Sequence, residues 1–391
     1  MLSEKTVSLI QSTVPVLARH GETITTVFYQ NLFRDHPELL NLFNQSNQKE
    51  GRQQKALAQT LIAAAANIRQ LDALLPAVRQ IAHKHRSLGV QKEHYPIVGE
   101  YLLKAMREVL GSGANEEVLA AWQEAYGVIA DVFIQEEAAL YEQAEGGVGG
   151  WKGFIPLRIA NKVKESSEIT SFYLTPALPN ENLPAFQPGQ YITIKVKPAG
   201  EAIWHHRQYS LSNAPGSSQL RISVKREEHG VVSAHLHRDL NIGDCIEASA
   251  PAGEFVLDEK SDAPVTFISG GVGVTPLVGM LNSLAGSQRQ IHWIHSARSE
   301  EVHAFREETD SLIDQLPNGS IDVFYGNTQG RITDSMLKQI LKTDKGDYYL
   351  CGPVPFMAAM IRALEILGIP EDRIHHEFFG PAVPVEAGEA V

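Results

Sequence analysis

The chain has 391 residues, of which 43% are apolar, and a formal net charge of -12, so it accommodates two or three domains with cores of their own. The acidic balance, without a sustained basic block, argues against nucleic acid or an anionic membrane surface as a partner. Two distant cysteines, Cys245 and Cys351, exclude a disulfide scaffold, and residues 1–10 carry no apolar run of leader or membrane-spanning length, so a cytoplasmic protein is expected.

Up to about residue 147, glycine and proline are sparse and apolar residues recur every three or four positions. Ile24, Val27, Phe28 and Phe33 form one such set; Leu57, Leu61, Ile62, Ala65 and Ile68 another; Val128, Val132, Ile134 and Leu140 a third. That period predicts an all-helical first domain, with Pro37 and Pro76 starting or interrupting helices. Lys84-His85 falls within one helix, Tyr95 follows ten residues later, and Glu137 lies on the last helix. A neutral imidazole ligates haem iron through one nitrogen, and a carboxylate on the other nitrogen fixes the tautomer and raises electron donation. His83, His85 and His94 all compete for that role on residue type alone. Tyr29, and Gln53 or Gln54 at the start of another helix, offer a phenol and an amide that would hydrogen-bond an oxygen ligand. Phe43 would wedge against a porphyrin face.

The run EGGVGGWKG at 145–153 holds Gly146, Gly147, Gly149 and Gly150, a helix end and a join. Short β-branched runs follow at 169–174, 190–196 and 220–224, punctuated by proline and glycine. They predict an antiparallel β-barrel of about a hundred residues. Within it, Arg207, Gln208, Tyr209 and Ser210 combine a forked phosphate donor, an aromatic face for a flavin ring and a hydroxyl for the ring edge. Tyr191 enters a strand after a Pro-Gly turn. Val224 and Lys225 end another, and Gly230, Val232 and Ser233 open a helix whose backbone N–H groups would meet a pyrophosphate.

From about residue 260, strands at 265–269, 290–295, 321–325 and 347–351 alternate with helices, one of them expected over 301–316. This is a parallel α/β unit. Its first strand runs into Gly270, Gly271, Val272, Gly273, Val274, Thr275 and Pro276, a turn that lets a dinucleotide approach the backbone, with proline in the first helical turn. Cys351, Gly352 and Pro353 close the last of these strands. Ser296 and Arg298, with no acidic residue directly after their strand, leave NADH and NADPH both open.

The segments DHPELLNLFNQSNQ and LLPAVRQIAHKH, with Tyr29, Phe43, Gln53, Leu57, His85, Tyr95 and Glu137, resemble a bacterial globin, and the whole chain resembles the flavohaemoglobin family of nitric-oxide dioxygenases. The resemblance implies three parts: a globin haem domain over 1–147, an FAD-binding antiparallel β-barrel over 151–259 and a ferredoxin-reductase-like NAD(P)-binding α/β domain over 260–391. It makes His85 the proximal ligand of haem b iron, with Tyr95 and Glu137 behind it. It makes Tyr29 the distal donor, assisted by Gln53, with Leu57 packed over the ligand. Spacing from Phe43 and to Leu57 favours Gln53 over Gln54. Arg207 to Ser210 would contact flavin and its phosphate, and residues 230–233 the FAD diphosphate. Residues 270–276 and 351–353 would face the nicotinamide cofactor, and Phe379 would stack near the flavin. Phe378 stands where the family often has cysteine. The implied reaction oxidises nitric oxide with dioxygen to nitrate, electrons passing from NADH or NADPH through FAD to haem in a monomer, with lipid an optional occupant of the haem pocket. An NAD(P)H-dependent flavin, ferric or quinone reductase, an oxygen store and a gas sensor are the competing readings.

Overall fold

The computed structural model describes residues 2–44, 48, 50–178, 182–341 and 345–380. One unit holds the helices through Gly146, and a second holds both sheets. The helical unit contains α1 (Glu4–Ser12), α2 (Val14–Asp35), α3 (Arg52–Ala66), α4 (Leu75–Leu88), α5 (His94–Leu110) and α6 (Glu116–Gly146). Local chemistry sets their ends. Ser3 caps α1 by accepting from the Thr6 N–H at 3.1 Å. Pro37 opens a 3-10 turn over Pro37–Leu42 and Pro76 lies in the first turn of α4, as expected. Gly89, at φ 84°, ends α4 in the left-handed conformation that glycine adopts without Cβ strain. α6 stops at Gly146, the first of the glycines in the join.

The apolar stripes of these helices meet in one core around Ile10, Leu17, Ile24, Leu32, Leu102 and Trp122. α2 and α3 approach closely because Gly21 faces Ala58, where an added Cβ would lie 3.3 Å from the Ala58 Cβ. The Thr25 hydroxyl donates to the Gln54 carbonyl at 2.9 Å across the same contact. This register sets α3 against the face of α2 that carries Tyr29.

The second unit begins with β1 (Phe154–Lys164), β2 (Ile169–Pro176), β3 (Tyr191–Val196), β4 (His205–Ser210), β5 (Leu220–Lys225), α7 (Val231–Arg238) and β6 (Cys245–Ser249). The strands form one sheet in the order β4-β3-β6-β1-β2-β5. β1 pairs antiparallel with β2 and β6, β2 with β5, and β3 with β6. A bridge between Leu211 and Ile222 ties the two edges together, so the sheet closes into the expected barrel. Phe172, Ile192, Ile194 and Ile222 fill it.

β7 (Val265–Gly270), α8 (Val274–Ser283), β8 (Ile291–Ala297), α9 (Arg306–Asp314), β9 (Gly319–Tyr325), α10 (Gly326–Gln329), α11 (Asp334–Ile340), β10 (Asp347–Cys351), α12 (Val354–Ile366) and β11 (Ile374–Glu377) complete the unit. The sheet is parallel, in the order β11-β10-β7-β8-β9. β7 is buried along its whole length, which is why VTFISG reads as a continuous run rather than an alternating one. The strand order reverses between β7 and β10, the place where open α/β sheets bind nucleotides.

Two expectations change. The helix expected over 301–316 starts only at Arg306, because Phe305 adopts φ 62° with its ring buried; a single 3-10 turn precedes it at Glu300–Val302. Phe255 and Leu257 pack with Phe267 and Leu277, so the core of the parallel sheet recruits chain from before residue 260.

Replacing Trp122 with alanine is expected to destabilise the helical unit by about 3–5 kcal/mol, the usual cost of emptying a filled aromatic site. Urea unfolding followed by helical circular dichroism checks the magnitude, and the sheets should retain their own transition.

Candidate functional site

In the helical unit, α4, α5 and α6 place three side chains on one oxygen. Glu137 is 3% exposed, and its Oε1 lies 2.7 Å from His85 Nδ1. The Tyr95 hydroxyl donates to the same oxygen at 2.5 Å and lies 3.3 Å from His85 Nδ1. Burial, then the Glu137 charge, push the Tyr95 phenol far up, so it stays protonated and remains a donor. With Nδ1 donating to a carboxylate, His85 takes the tautomer whose Nε2 lone pair is available to a metal. The Phe133 ring, one turn before Glu137, lies 5.9 Å from His85 and 6.5 Å from Tyr95. Neither competing histidine is built this way. His94 Nδ1 accepts the Gln91 N–H at 3.0 Å. His83 is pushed down to about 4 by burial and by Arg86.

The Tyr29 side has the same logic without a charge. Tyr29 is 5% exposed and its phenol is pushed up by burial, while Gln53 hydrogen-bonds it and partly offsets that shift. The Phe43 ring meets Tyr29 edge-on at 5.6 Å and Phe33 stacks on it at 5.6 Å. Leu57, one turn after Gln53, is half-buried against the same core. The structure separates the two amides: the Gln54 Nε2 donates to Gln48, at 3.2 Å to its carbonyl and 3.1 Å to its Oε1, so Gln53 is the one that meets Tyr29. A buried phenol with an amide, and in the same unit an imidazole backed by a carboxylate, are donor sets that fit a small oxygen ligand and a haem iron.

In the second unit, Arg207, Gln208 and Tyr209 are half-buried along β4 and Ser210 is buried. Burial pushes the Arg207 guanidinium down and the Tyr209 phenol up, as expected for groups in a walled groove. Tyr191 is held by a bridge to Ala252, and its ring packs where a Cβ on Gly253 would lie 3.0 Å away. Gly230 caps α7, whose first-turn N–H groups have no intrahelical acceptor. The Ser233 hydroxyl accepts from the Glu227 N–H at 3.1 Å and donates to the Gly230 carbonyl at 3.3 Å, so it shapes that turn. The Val224 and Val232 side chains are buried in the barrel, and Lys225 pairs with Glu227 at 2.9 Å; these residues offer backbone or a charge pair rather than free side chains. Lys162, absent from the sequence reading, donates to the Leu236, His237 and Leu240 carbonyls and so caps the far end of α7.

The glycine turn sits at the switch point. Gly271 has φ 53°. A Cβ on Gly273 would lie 2.2 Å from the Cys351 carbonyl, and one on Gly270 or Gly352 would meet Phe356 at 2.9 or 2.7 Å. Glycine at 273 therefore lets the turn pass the end of β10, and glycine at 270 and 352 leaves room for the Phe356 ring of α12. Val274, Thr275 and Pro276 turn inward, and the Thr275 hydroxyl donates to the Val272 carbonyl at 3.1 Å. Pro353 caps α12. Cys351 is fully buried, with its thiol pushed well up, so its side chain does not serve as a thiolate in the crevice. Phe379 is exposed, whereas Phe378 packs on the sheet core; Pro381, which follows them in the motif, lies outside the described residues. Arg298 pairs with Glu168.

Sequence reasoning missed a polar chain along the carboxyl ends of the neighbouring strands. Ser269 Oγ lies 2.7 Å from His295 Nδ1, the His295 and His303 rings stack at 4.5 Å, and His303 Nδ1 lies 3.0 Å from the Tyr325 hydroxyl. Burial, with His303 beside it, pushes His295 down to about 3; burial, with Arg306 beside it, pushes His303 down to about 4. Both rings are thus neutral when folded but would titrate near 6.5 when unfolded. The unfolded chain binds the extra protons, so stability falls as pH drops from about 6.5 towards 4. Urea midpoints measured across that range should show the slope, and a His295→Gln/His303→Gln variant should flatten it. An unchanged slope in that variant counts against these two rings as its source.

The comparisons follow the same division. Residues 26–133 match the Globin family model, residues 156–257 the Oxidoreductase FAD-binding domain and residues 267–362 the Oxidoreductase NAD-binding domain. The Flavohemoprotein of Bacillus subtilis (strain 168) is 50% identical over 394 residues, covering 97% of this chain and 98% of its own. That of Deinococcus radiodurans is 45% identical, with 98% of each covered. The crystal structure of flavohemoglobin from Malassezia yamatoensis with bound FAD and heme aligns at TM-score 0.87 and 28% identity, covering 97% of this chain and 100% of that one. The FAD/NAD-binding domain of nitric oxide dioxygenase from Vibrio cholerae aligns at TM-score 0.54 and 38% identity over 58% of this chain and 98% of its own. The chain belongs to the flavohemoprotein family and carries globin, FAD-binding and NAD-binding parts.

Proposed function

We propose that this protein is an NAD(P)H-dependent nitric-oxide dioxygenase, converting nitric oxide and dioxygen to nitrate. The observation that carries the reading is the Glu137 oxygen shared by His85 and Tyr95, a strongly donating arrangement for a proximal ligand, in a unit that also holds a buried, protonated Tyr29. The Vibrio cholerae relative named as a nitric oxide dioxygenase supports the choice of substrate. Flavin, when bound, would supply the conversion of a hydride's electron pair into single electrons, and haem would supply a one-electron acceptor with a site for a small oxygen ligand.

The chain's residues have distinct tasks in this scheme. Glu137 holds the proton on His85 Nδ1 and increases donation from Nε2. Tyr95 fixes Glu137. Tyr29 presents its hydroxyl proton to dioxygen, Gln53 orients that hydroxyl, and Leu57 and Phe43 exclude water. Arg207, Tyr209 and Ser210 hold the flavin, and the N–H groups after Gly230 take its diphosphate. The turn at 270–276, with Gly352, admits the nicotinamide dinucleotide. We divide the chain into globin (1–147), FAD (151–259) and NAD(P) (260–391) parts; the matched spans lie within those limits. Among the described residues no helix is long and apolar enough to cross a membrane. Both cysteines are free thiols, which fits a reducing compartment, and we take the protein to act there as a monomer.

Purified holoenzyme given NADH, dioxygen and nitric oxide should form nitrate in step with NADH consumption. NADH oxidation that ignores nitric oxide would instead identify a reductase. Tyr29→Phe should lower nitric-oxide-dependent turnover roughly 10- to 100-fold, as loss of one preorganised donor does, with anaerobic NADH-driven haem reduction unchanged. Glu137→Ala should raise the haem reduction potential and slow turnover; an unchanged potential and rate would sink the role given to that carboxylate.

A further inference from the structure

The barrel and the parallel sheet are joined by an ion pair, its arginine buried and its carboxylate half-buried, that none of the steps above uses. Arg221, on β5, is 6% exposed. Its Nη1 and Nη2 meet the two carboxylate oxygens of Glu308, on α9, at 2.7 and 2.8 Å. The same guanidinium donates from Nε to the Ser212 hydroxyl at 3.1 Å, and from Nη2 to the Ser212 carbonyl. Ser212 continues to Ser223 at 2.7 Å, and Ser223 to Ser171 at 2.8 Å. Glu308 also accepts from Asn282 Nδ2, near the end of α8, at 2.6 Å. The guanidinium stacks 5.1 Å from the ring of Phe305, the one non-glycine residue with positive φ among the described residues. A backbone strain is therefore accepted to keep that ring in place.

Stability alone does not account for such a joint. Apolar side chains of similar volume often hold a buried contact as well as an ion pair does. A guanidinium fork on a carboxylate adds fixed distance and direction. What it directs is visible in α8. Its amino end is the turn at 270–276. Its middle lies against the residue following the Arg207–Ser210 motif, where a Cβ on Gly279 would sit 2.5 Å from the Leu211 carbonyl. Its far end is held by Glu308 through Asn282.

We propose that Arg221 and Glu308 are positioning residues for hydride transfer: they lock α8 to the barrel so that the dinucleotide turn is held in register with the flavin strand. The role rests on the electron-supply half of the function proposed above. The step breaks a C–H bond of the dihydronicotinamide and forms an N–H bond on the flavin; the electron pair travels with the hydrogen, nicotinamide is oxidised and flavin is reduced. Because the reacting atoms must approach to near contact, a small shift of one lobe slows the step without removing either cofactor.

The test uses full-length holoenzyme, without oxygen or nitric oxide, in stopped-flow reduction by NADH and by 4-deuterated NADH. Arg221→Met/Glu308→Leu replaces the pair by apolar groups, and Glu308→Gln keeps the hydrogen bonds while removing the charge. The double variant should keep its FAD content, thermal midpoint, affinity for oxidised NAD and dithionite-driven haem reduction. Its limiting flavin-reduction rate should fall roughly 10- to 100-fold with a larger deuterium isotope effect, and Glu308→Gln should fall less. Parent-like limiting rates and isotope effects in both variants would overturn the role, as would losses that only follow FAD content and melting. A parent enzyme whose flavin NADH fails to reduce would take down the electron-supply reading along with it; failure to make nitrate alone would leave the positioning role intact.

Discussion

One buried carboxylate oxygen organises the helical unit. Glu137 Oε1 has to leave water, and it is tolerable there only because a histidine and a phenol both bond to it. That demand reaches outward. Tyr95 must be held, and the Tyr126 hydroxyl donates to the Tyr95 carbonyl at 2.7 Å. Tyr126 in turn fits because Gly99 has no side chain: a Cβ there would lie 2.5 Å from the tyrosine ring. The end of α4 is fixed in the same way, since the Tyr141 hydroxyl donates to the Val90 carbonyl at 2.7 Å just past Gly89. A single long helix, α6, carries Tyr126, Phe133, Glu137 and Tyr141. Its length places all four along one side of the imidazole.

The second unit is governed by close backbone approach rather than by a buried charge. The turn at the switch point passes the end of β10 only because Gly273 lacks a Cβ, and Gly270 and Gly352 make room there for the Phe356 ring of α12. The helix leaving that turn then approaches the barrel at Gly279 on the same terms. α7 repeats the device from the other side: its amino end opens at Gly230, while Lys162 satisfies the carbonyls at its far end and His237 Nε2 meets the Val224 carbonyl at 2.8 Å. Val224 thus matters through its carbonyl and its buried side chain, although the strand-end motif in which it stands suggested a direct cofactor contact.

What the sequence made legible follows from how local each signal is. Helix period, proline starts and the glycine join depend on neighbouring residues, and α2, α4 and α6 appear where those signals lie. The flat run at 265–269 read as a buried strand for the same reason. β1 and β6 carried no comparable pattern: β1 mixes lysine and arginine with its apolar residues and is irregular between Ile159 and Asn161. The break before α9 was illegible because Phe305 takes its left-handed backbone from a tertiary contact with Arg221 rather than from any local preference. At the candidate site, residue type offered Tyr29, Glu137 and three histidines, and the family resemblance chose His85 among them. Spacing favoured Gln53 over Gln54, and the structure agrees because the register of α3 on α2 turns Gln53 to the phenol while Gln54 bonds Gln48. Ser269, His295, His303 and Tyr325 come from four separate segments, so no spacing rule joins them.

Two carboxylates, the buried Glu137 and the half-buried Glu308, show how a reacting centre differs from a joint. Around Glu308, Arg221 has donors engaged with the carboxylate and with Ser212, and Asn282 adds another bond to the same carboxylate. Nothing there can respond to a ligand without breaking a charge-assisted bond, so the pair holds shape. Around Glu137 the bonding stops one atom short. Both contacts to His85 fall on Nδ1, and the imidazole side chain is 34% exposed. Nε2 is thereby kept basic and oriented while it faces away from the carboxylate. Full satisfaction gives rigidity, and satisfaction of one ring nitrogen gives a directed ligand. A haem protein that draws its electrons from a nicotinamide needs the first at its flavin and the second at its iron.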